Sequence, residues 1–323
     1  MANKKSLDIK DQLLLLKRRG LNFKDERQAE EWLSKVSYYR LKGYWWQMQD
    51  DFVNHHFASG WYFEDIIERY NFDRRLKIIL FQAIESIEIA FRAKIINHMS
   101  KSHGGLWYMQ TNLFDNKVFH QRSLFKLLEE FKNSNETFAK EFHSKYPNKL
   151  SNSQKGYQPS QYPDAWIILE IATLGELSKI YKNINHQLPE KSQIANDFGL
   201  NLHTELSSWI EAIVYMRNII AHHSRLWARN MTIKPCYVIN TRNTWLNKQL
   251  TTNEENRAFH IISCILYLCD TIGTGKQLRQ KIYRLFKKYD SLPFTTIGFE
   301  NRWQKEPMWK LSLTDKLKSH FCT

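Results

Sequence analysis

The chain has 323 residues, 42% of them hydrophobic, and carries 47 Lys and Arg against 33 Asp and Glu, a formal net charge of +14. That apolar content suffices for a sizeable core in one large or two ordinary domains. The charge points to an anionic partner, nucleic acid before an anionic membrane surface. Arg, Lys, Trp and Tyr are interleaved along the whole chain, which favours a folded basic surface over a disordered arm. No apolar run approaches the roughly 20 residues of a membrane span, and the four leucines near the N-terminus are too few for a signal peptide. The four cysteines, Cys236, Cys264, Cys269 and Cys322, lack CxxC or metal-ligand spacing and read as free thiols in a reducing compartment. A cytoplasmic protein with no membrane partner is expected.

With only 11 Gly and 7 Pro and no long alternation of apolar and polar residues, helices should dominate, and the expected fold class is all-α. A first helix covers Ile9 to Arg18 and stops at Gly20; a second begins at the N-cap Asp25 and carries Ala29, Trp32, Leu33 and Val36 on one face. Ser37 to Asp50 is crowded with Tyr38, Tyr39, Tyr44, Trp45 and Trp46 around Arg40 and Lys42. Such a segment can stack bases while its cations meet phosphates, or plug the N-terminal helices onto the bundle with Gly43 in a tight turn; packing is the commoner use of large aromatics. Phe63 to Lys101 reads as one very long helix or two end to end, closed by Gly104-Gly105. Its apolar stripe is Ile66, Tyr70, Leu76, Leu80, Ile84, Ile87 and Phe91. Glu85, Glu88 and Arg92 form a second stripe, either an ion-paired face or a group orienting Arg217 or His222.

Further helices are expected at Phe119 to Tyr146, Ala165 to Asn183, Glu190 to Phe198, Asn253 to Cys269 and the very basic Gly275 to Tyr289. Pro147 to Asp164 is a polar loop, Met231 to Leu250 loop or short strand, and Trp303 to Phe321 an apolar-polar tail. The regions are taken as 1–60, an N-terminal helical and aromatic elaboration; 61–272, the helical domain; and 273–323, a basic C-terminal extension. His98 and His103, near a helix end, read as solvated or capping groups.

The candidate site lies between Leu206 and Arg229. Leu206, Trp209, Ile213, Met216 and Ile220 recur at helical steps, and then Arg217, Asn218, His222, His223 and Arg225 crowd one short span. On a continuing helix Asn218, His222 and Arg225 share a face. Arg217 and His222 stand roughly 140° apart on a straight helix. They converge on one substrate only if the Arg side chain wraps round, the helix ends near Ala221, or a second copy contributes. Arg225 and Arg229 suit phosphate contacts, His223 a supporting role, and Trp227 the core.

The segments SYYRLKGYWW, YNFDRRLKIILFQAIESIEIAFR, AWIILEIATLGELSKIY and MRNIIAHHSRLW, in this order, resemble the Abi-like family of the AbiD/AbiF type, abortive-infection proteins of the all-helical HEPN superfamily. The resemblance covers roughly the first 230 residues. It implies a HEPN-like bundle and a metal-independent ribonuclease whose hallmark, Arg, a polar residue, three more and His, is matched by Arg217, Asn218, Ile219-Ile220-Ala221 and His222. It also implies an RNA substrate, for some relatives a structured non-coding RNA that restrains the toxin, and a homodimer. The chemistry fits without the name: RNA brings its own 2′-hydroxyl nucleophile, an imidazole of ordinary pKa about 6.5 moves protons at neutral pH, and a guanidinium stabilises the charge on phosphorus. No cofactor is called for, and the lack of Asp or Glu beside His222 argues against a metal nuclease. His223, Arg225, Arg229, Arg40, Lys42, Lys281 and Arg284 are the expected RNA contacts. The alternative is an RNA-binding protein that does not cleave.

Overall fold

The N-terminal helices start where a carboxylate can accept from the free N–H groups of a first turn. The computed structural model describes residues 6–146, 162–301 and 303–311. Asp8 caps α1 (Ile9–Arg18) by accepting from Asp11 N at 2.8 Å, and Asp25 caps α2 (Glu26–Val36) by accepting from Gln28 N at 3.0 Å. α3 (Tyr38–Trp45) follows, and then an unforeseen hairpin, β1 (Gln49–Asp51) antiparallel to β2 (His56–Phe57), the one sheet among the described residues.

The organising element is α4 (Phe63–His103), a single uninterrupted helix of 41 residues, roughly 60 Å long at 1.5 Å per residue. Of its expected stripe, Ile66, Leu76, Leu80, Ile84, Ile87 and Phe91 are buried, whereas Tyr70 is only half-buried. Glu88 pairs with Arg92 at 3.4 Å and Glu85 is exposed, so this stripe is an ion-paired face rather than an orienting group for the candidate site. Arg92 also donates to Ala172 O at 2.8 Å, tying α4 to a segment 80 residues further on.

Two expected helices in the middle of the chain are broken. Phe119 to Tyr146 divides into α5 (Lys117–Lys132) and α6 (Thr137–Lys145). Asn133, Ser134 and Asn135 intervene, residues whose side chains compete for backbone hydrogen bonds. Ala165 to Asn183 divides into α7 (Ala165–Ile168) and α8 (Leu174–Asn183), not at Gly175 but at Thr173, which with Glu176 forms a capping box. The Pro147 to Asp164 loop lies outside the described residues as far as 161, as do Cys322 and the tail from 312.

α9 (Pro189–Asp197) and α10 (His203–Ala221) bring the chain back against α4. His98 and His103 are partly exposed but not free in solvent: His98 Nε2 stands 3.0 Å from Asp197 and His103 Nε2 3.6 Å from Glu190, both on α9. Met231 to Leu250 is loop without strand, pinned where Ser208 Oγ accepts from Cys236 N and Trp209 donates to Cys236 O. The last expected pair becomes α11 (Thr252–Asn256), α12 (Ala258–Thr271) and α13 (Gly275–Lys288). α12 is mostly apolar and is buried on every side from Ala258 to Cys269, with His260 and Ser263 among the buried residues. The core runs continuously from Leu13 to Trp309. Cys264 and Cys269 are buried free thiols and Cys236 is free and exposed. Among the described residues no helix is long and apolar enough to cross a membrane.

Candidate functional site

α10 ends with two reciprocal bonds, Ser224 N to Ile219 O at 2.9 Å and His223 N to Ile220 O at 2.9 Å. This closure places the residue after the cap in the left-handed region, usually a glycine. Here it is His223, at φ 54°. A side chain there carries strain that the surroundings must hold. They do so from two segments far away in sequence, α3 and α4. Arg40 of α3 donates to His223 O at 2.7 Å, and Lys77 of α4 donates to Ser224 O at 3.2 Å. Asp73, 1% exposed, accepts from Leu226 N at 2.9 Å, Trp227 N at 2.8 Å and Tyr44 Oη at 2.8 Å, and pairs with Lys77 at 3.2 Å. Burial and the Asp73 charge push the Tyr44 phenol far up, so it remains the donor.

Behind the turn, Arg225 donates to Trp227 O at 2.6 Å and Arg229 to Arg225 O at 2.9 Å. Burial lowers the pKa of Arg225. Gly43 sits within α3 rather than in a turn, and its role is close approach: a Cβ there would stand 2.8 Å from Arg225 Cδ.

In front of the turn opens a groove of about 770 Å³ between α3, α4 and the end of α10. Arg40, Arg74, Lys77, Arg217 and His223 supply its nitrogen donors, Tyr70, Ile78 and Phe81 an apolar edge, and Ile220 and Ala221 the wall beside the turn. Among the described residues no carboxylate lines it, and of its cations only Lys77 has a carboxylate within 4 Å, Asp73 behind it. Such a concavity attracts phosphate.

The residues that build this turn and groove lie in one stretch of the chain, and a family model described as Abi-like protein matches residues 31–228. The chain belongs to the Abi-like protein family. No curated protein and no solved structure matches it. The Abi-like match begins inside α2 and ends one residue past Trp227, so it takes in Arg40, Tyr44, Asp73, Lys77, Arg217 and the closing turn of α10. α11, α12 and α13 lie beyond it.

Within that span the structure divides the expected site residues. Arg217, Arg40 and His223 come together in the groove. Asn218 and His222 are exposed and lie outside its lining. The helix does end between Arg217 and His222, yet His222, at φ −82°, continues nearly in helical register. The shared face of Asn218, His222 and Arg225 does not exist, because Arg225 follows the turn and points inward. Arg225 and Arg229 hold the turn from behind, and Lys42 is half-buried off the groove. Lys281 of α13 donates to Gln82 at 2.8 Å, and Gln82 lines the groove, so the basic helix reaches its far end; Arg284 is exposed on the same helix. The aromatic segment is divided: Tyr44 and Trp45 are buried and Tyr38 is half-buried, while Tyr39 is 84% and Trp46 49% exposed; Trp227 is buried in the core.

Arg74, Asp73 and Lys77 were missed as site residues. The available signal was two charges on a buried stripe, Asp73 and Lys77 each three residues before a core leucine, Leu76 and Leu80.

Proposed function

We propose that this Abi-like chain is a metal-independent endoribonuclease of an abortive-infection, toxin–antitoxin type of defence, with the HEPN arrangement of Arg217 and His222 as its catalytic pair. The observation that carries the reading is Arg217 in a groove walled by Arg40, Arg74 and Lys77, on the helix that His222 caps. In the reaction the 2′-oxygen attacks phosphorus and the bond to the 5′-oxygen breaks. The His222 imidazole takes the 2′-proton and, so protonated, delivers a proton to the leaving 5′-oxygen. Arg217 spreads the added negative charge through a bidentate contact, and Asn218 orients a phosphate oxygen or the ring. Since His222 stands outside the groove that its own Arg217 lines, the active species is a homodimer in which each centre joins Arg217 with His222 of the partner subunit.

Cleavage of RNA in EDTA tests this. His222→Ala and Arg217→Ala should each lower the rate by on the order of 10²–10⁴ with the fold intact. The products should carry 2′,3′-cyclic phosphate and 5′-hydroxyl ends; a 5′-phosphate sinks the mechanism. Mixing the two inactive variants under subunit exchange should restore cleavage, and a dead mixture of dimers rejects the shared centre. The exclusion of His222 from the groove also favours a second reading, a protein that holds RNA, including a structured non-coding RNA, without cutting it. Wild type that binds RNA but never cleaves it decides for that reading.

A further inference from the structure

The groove is lined by two unlike sets of side chains. Cations stand on α3, on the end of α10 and at Arg74 and Lys77 of α4, whereas Tyr70, Ile78 and Phe81 run along its α4 edge. Ile78 is 53% and Phe81 44% exposed, large apolar side chains left in water at the rim of a positively charged concavity. Arg74, Ile78 and Phe81 fall at i, i+4 and i+7, one face of α4. From Tyr70 to Phe81 the edge is roughly 16 Å long at 1.5 Å per residue. A site for phosphates alone gains nothing from exposed apolar side chains such as Ile78 and Phe81 in the same lining as its cations. A chain of alternating phosphates and flat bases meets both, its charges on Arg74, Arg40 and Arg217 and a base face on Phe81.

We infer that the Tyr70–Ile78–Phe81 edge is a base-contacting wall and that the groove selects single-stranded over duplex RNA. The inference rests on the reading that this groove receives RNA. In an A-form duplex the base faces are stacked on one another and the outer surface offers sugar and phosphate, so Phe81 has nothing to stack on. In a single strand or an open loop the bases turn out, and any base supplies a π-face, so selection by the wall is for strandedness rather than sequence. Phe81 is the strandedness-determining residue and Ile78 extends the surface under the base.

The test uses the full chain and 2′-O-methyl RNA, which lacks the nucleophile for cleavage, in three forms: single strand, duplex, and single strand with abasic sites at its centre. Affinities are read by fluorescence anisotropy at one salt concentration. Wild type should favour the single strand over both other forms. Phe81→Ala should weaken the single strand by on the order of 5- to 100-fold, the scale of one lost base stack. It should leave the abasic strand unchanged, and Phe81→Tyr should keep the wild-type pattern. Arg74→Ala should weaken all three forms. If Phe81→Ala leaves single-strand affinity intact while Arg74→Ala lowers it, the groove binds phosphate but the base wall is overturned. If Phe81→Ala and Ile78→Ala instead convert a dimer to monomer by sedimentation with no base-dependent loss, the edge is a subunit interface and the inference fails. If wild type binds none of the three RNAs, the inference and the proposed function fall together.

Discussion

Asp73 is the residue on which the turn after α10 depends. Its carboxylate meets donors from α3, from α4 and from the backbone of Leu226 and Trp227. Removing one member of a buried charge pair strands the other, at a cost of about 3–5 kcal/mol. Asp73→Ala should therefore destabilise the protein by that order in urea unfolding, and adding Lys77→Met should recover part of the loss. Strict additivity of the two substitutions would show that the pair does not act as a unit. His260 of α12 is a different case: it is 2% exposed, and neither ring nitrogen has a partner among the described residues. Burial first, then the Lys234 charge, lowers its pKa from 6.5 to about 4. The depressed folded value means that the unfolded chain takes up the proton first as pH falls. Stability is thus undiminished above pH 6.5 and declines between 6.5 and 4, by about 3 kcal/mol in all. His260→Leu should remove that part of the pH dependence; identical slopes for variant and wild type between pH 7 and 4.5 would refute it.

At the scale of elements, periodicity and capping made most helices legible. The buried faces of α2, α4 and α10 follow from apolar steps of three and four, and α1, α2 and α4 stop or start near the Gly and Asp residues expected of them. The break at Asn133 to Asn135 and the box of Thr173 with Glu176 are local signals that were also present, and were outweighed by the apolar residues on either side. The groove is another matter. Arg40 and His223 are 183 residues apart and Asp73 and Leu226 are 153 apart, and no window of sequence relates them. The Arg217 and His222 spacing could be read directly. The inward turn of Arg225 could not, because it depends on Trp227 O and on the missing Cβ of Gly43.

For the whole molecule the net charge of +14 is the dominant fact. On the proposed RNA reading, displacing counterions from several phosphates should make affinity fall by about three to five decades between 50 and 200 mM salt, measured by anisotropy. Lys281 reaches the groove through Gln82 and Arg284 is exposed on the same helix, so the double change Lys281→Glu and Arg284→Glu should weaken all RNA sequences alike and flatten the salt slope. Unaltered affinity and slope would confine the RNA path to α3, α4 and the α10 turn. The same fold carries a consequence for the order of events in synthesis. The turn after α10 is set by partners near residues 40, 44, 73 and 77, which leave the ribosome some 150 residues before it. Loops of that length close late, after local helices have formed. The groove therefore cannot assemble until the chain has been made past Trp227, and its α3 and α4 walls are on the chain well before the turn that closes it.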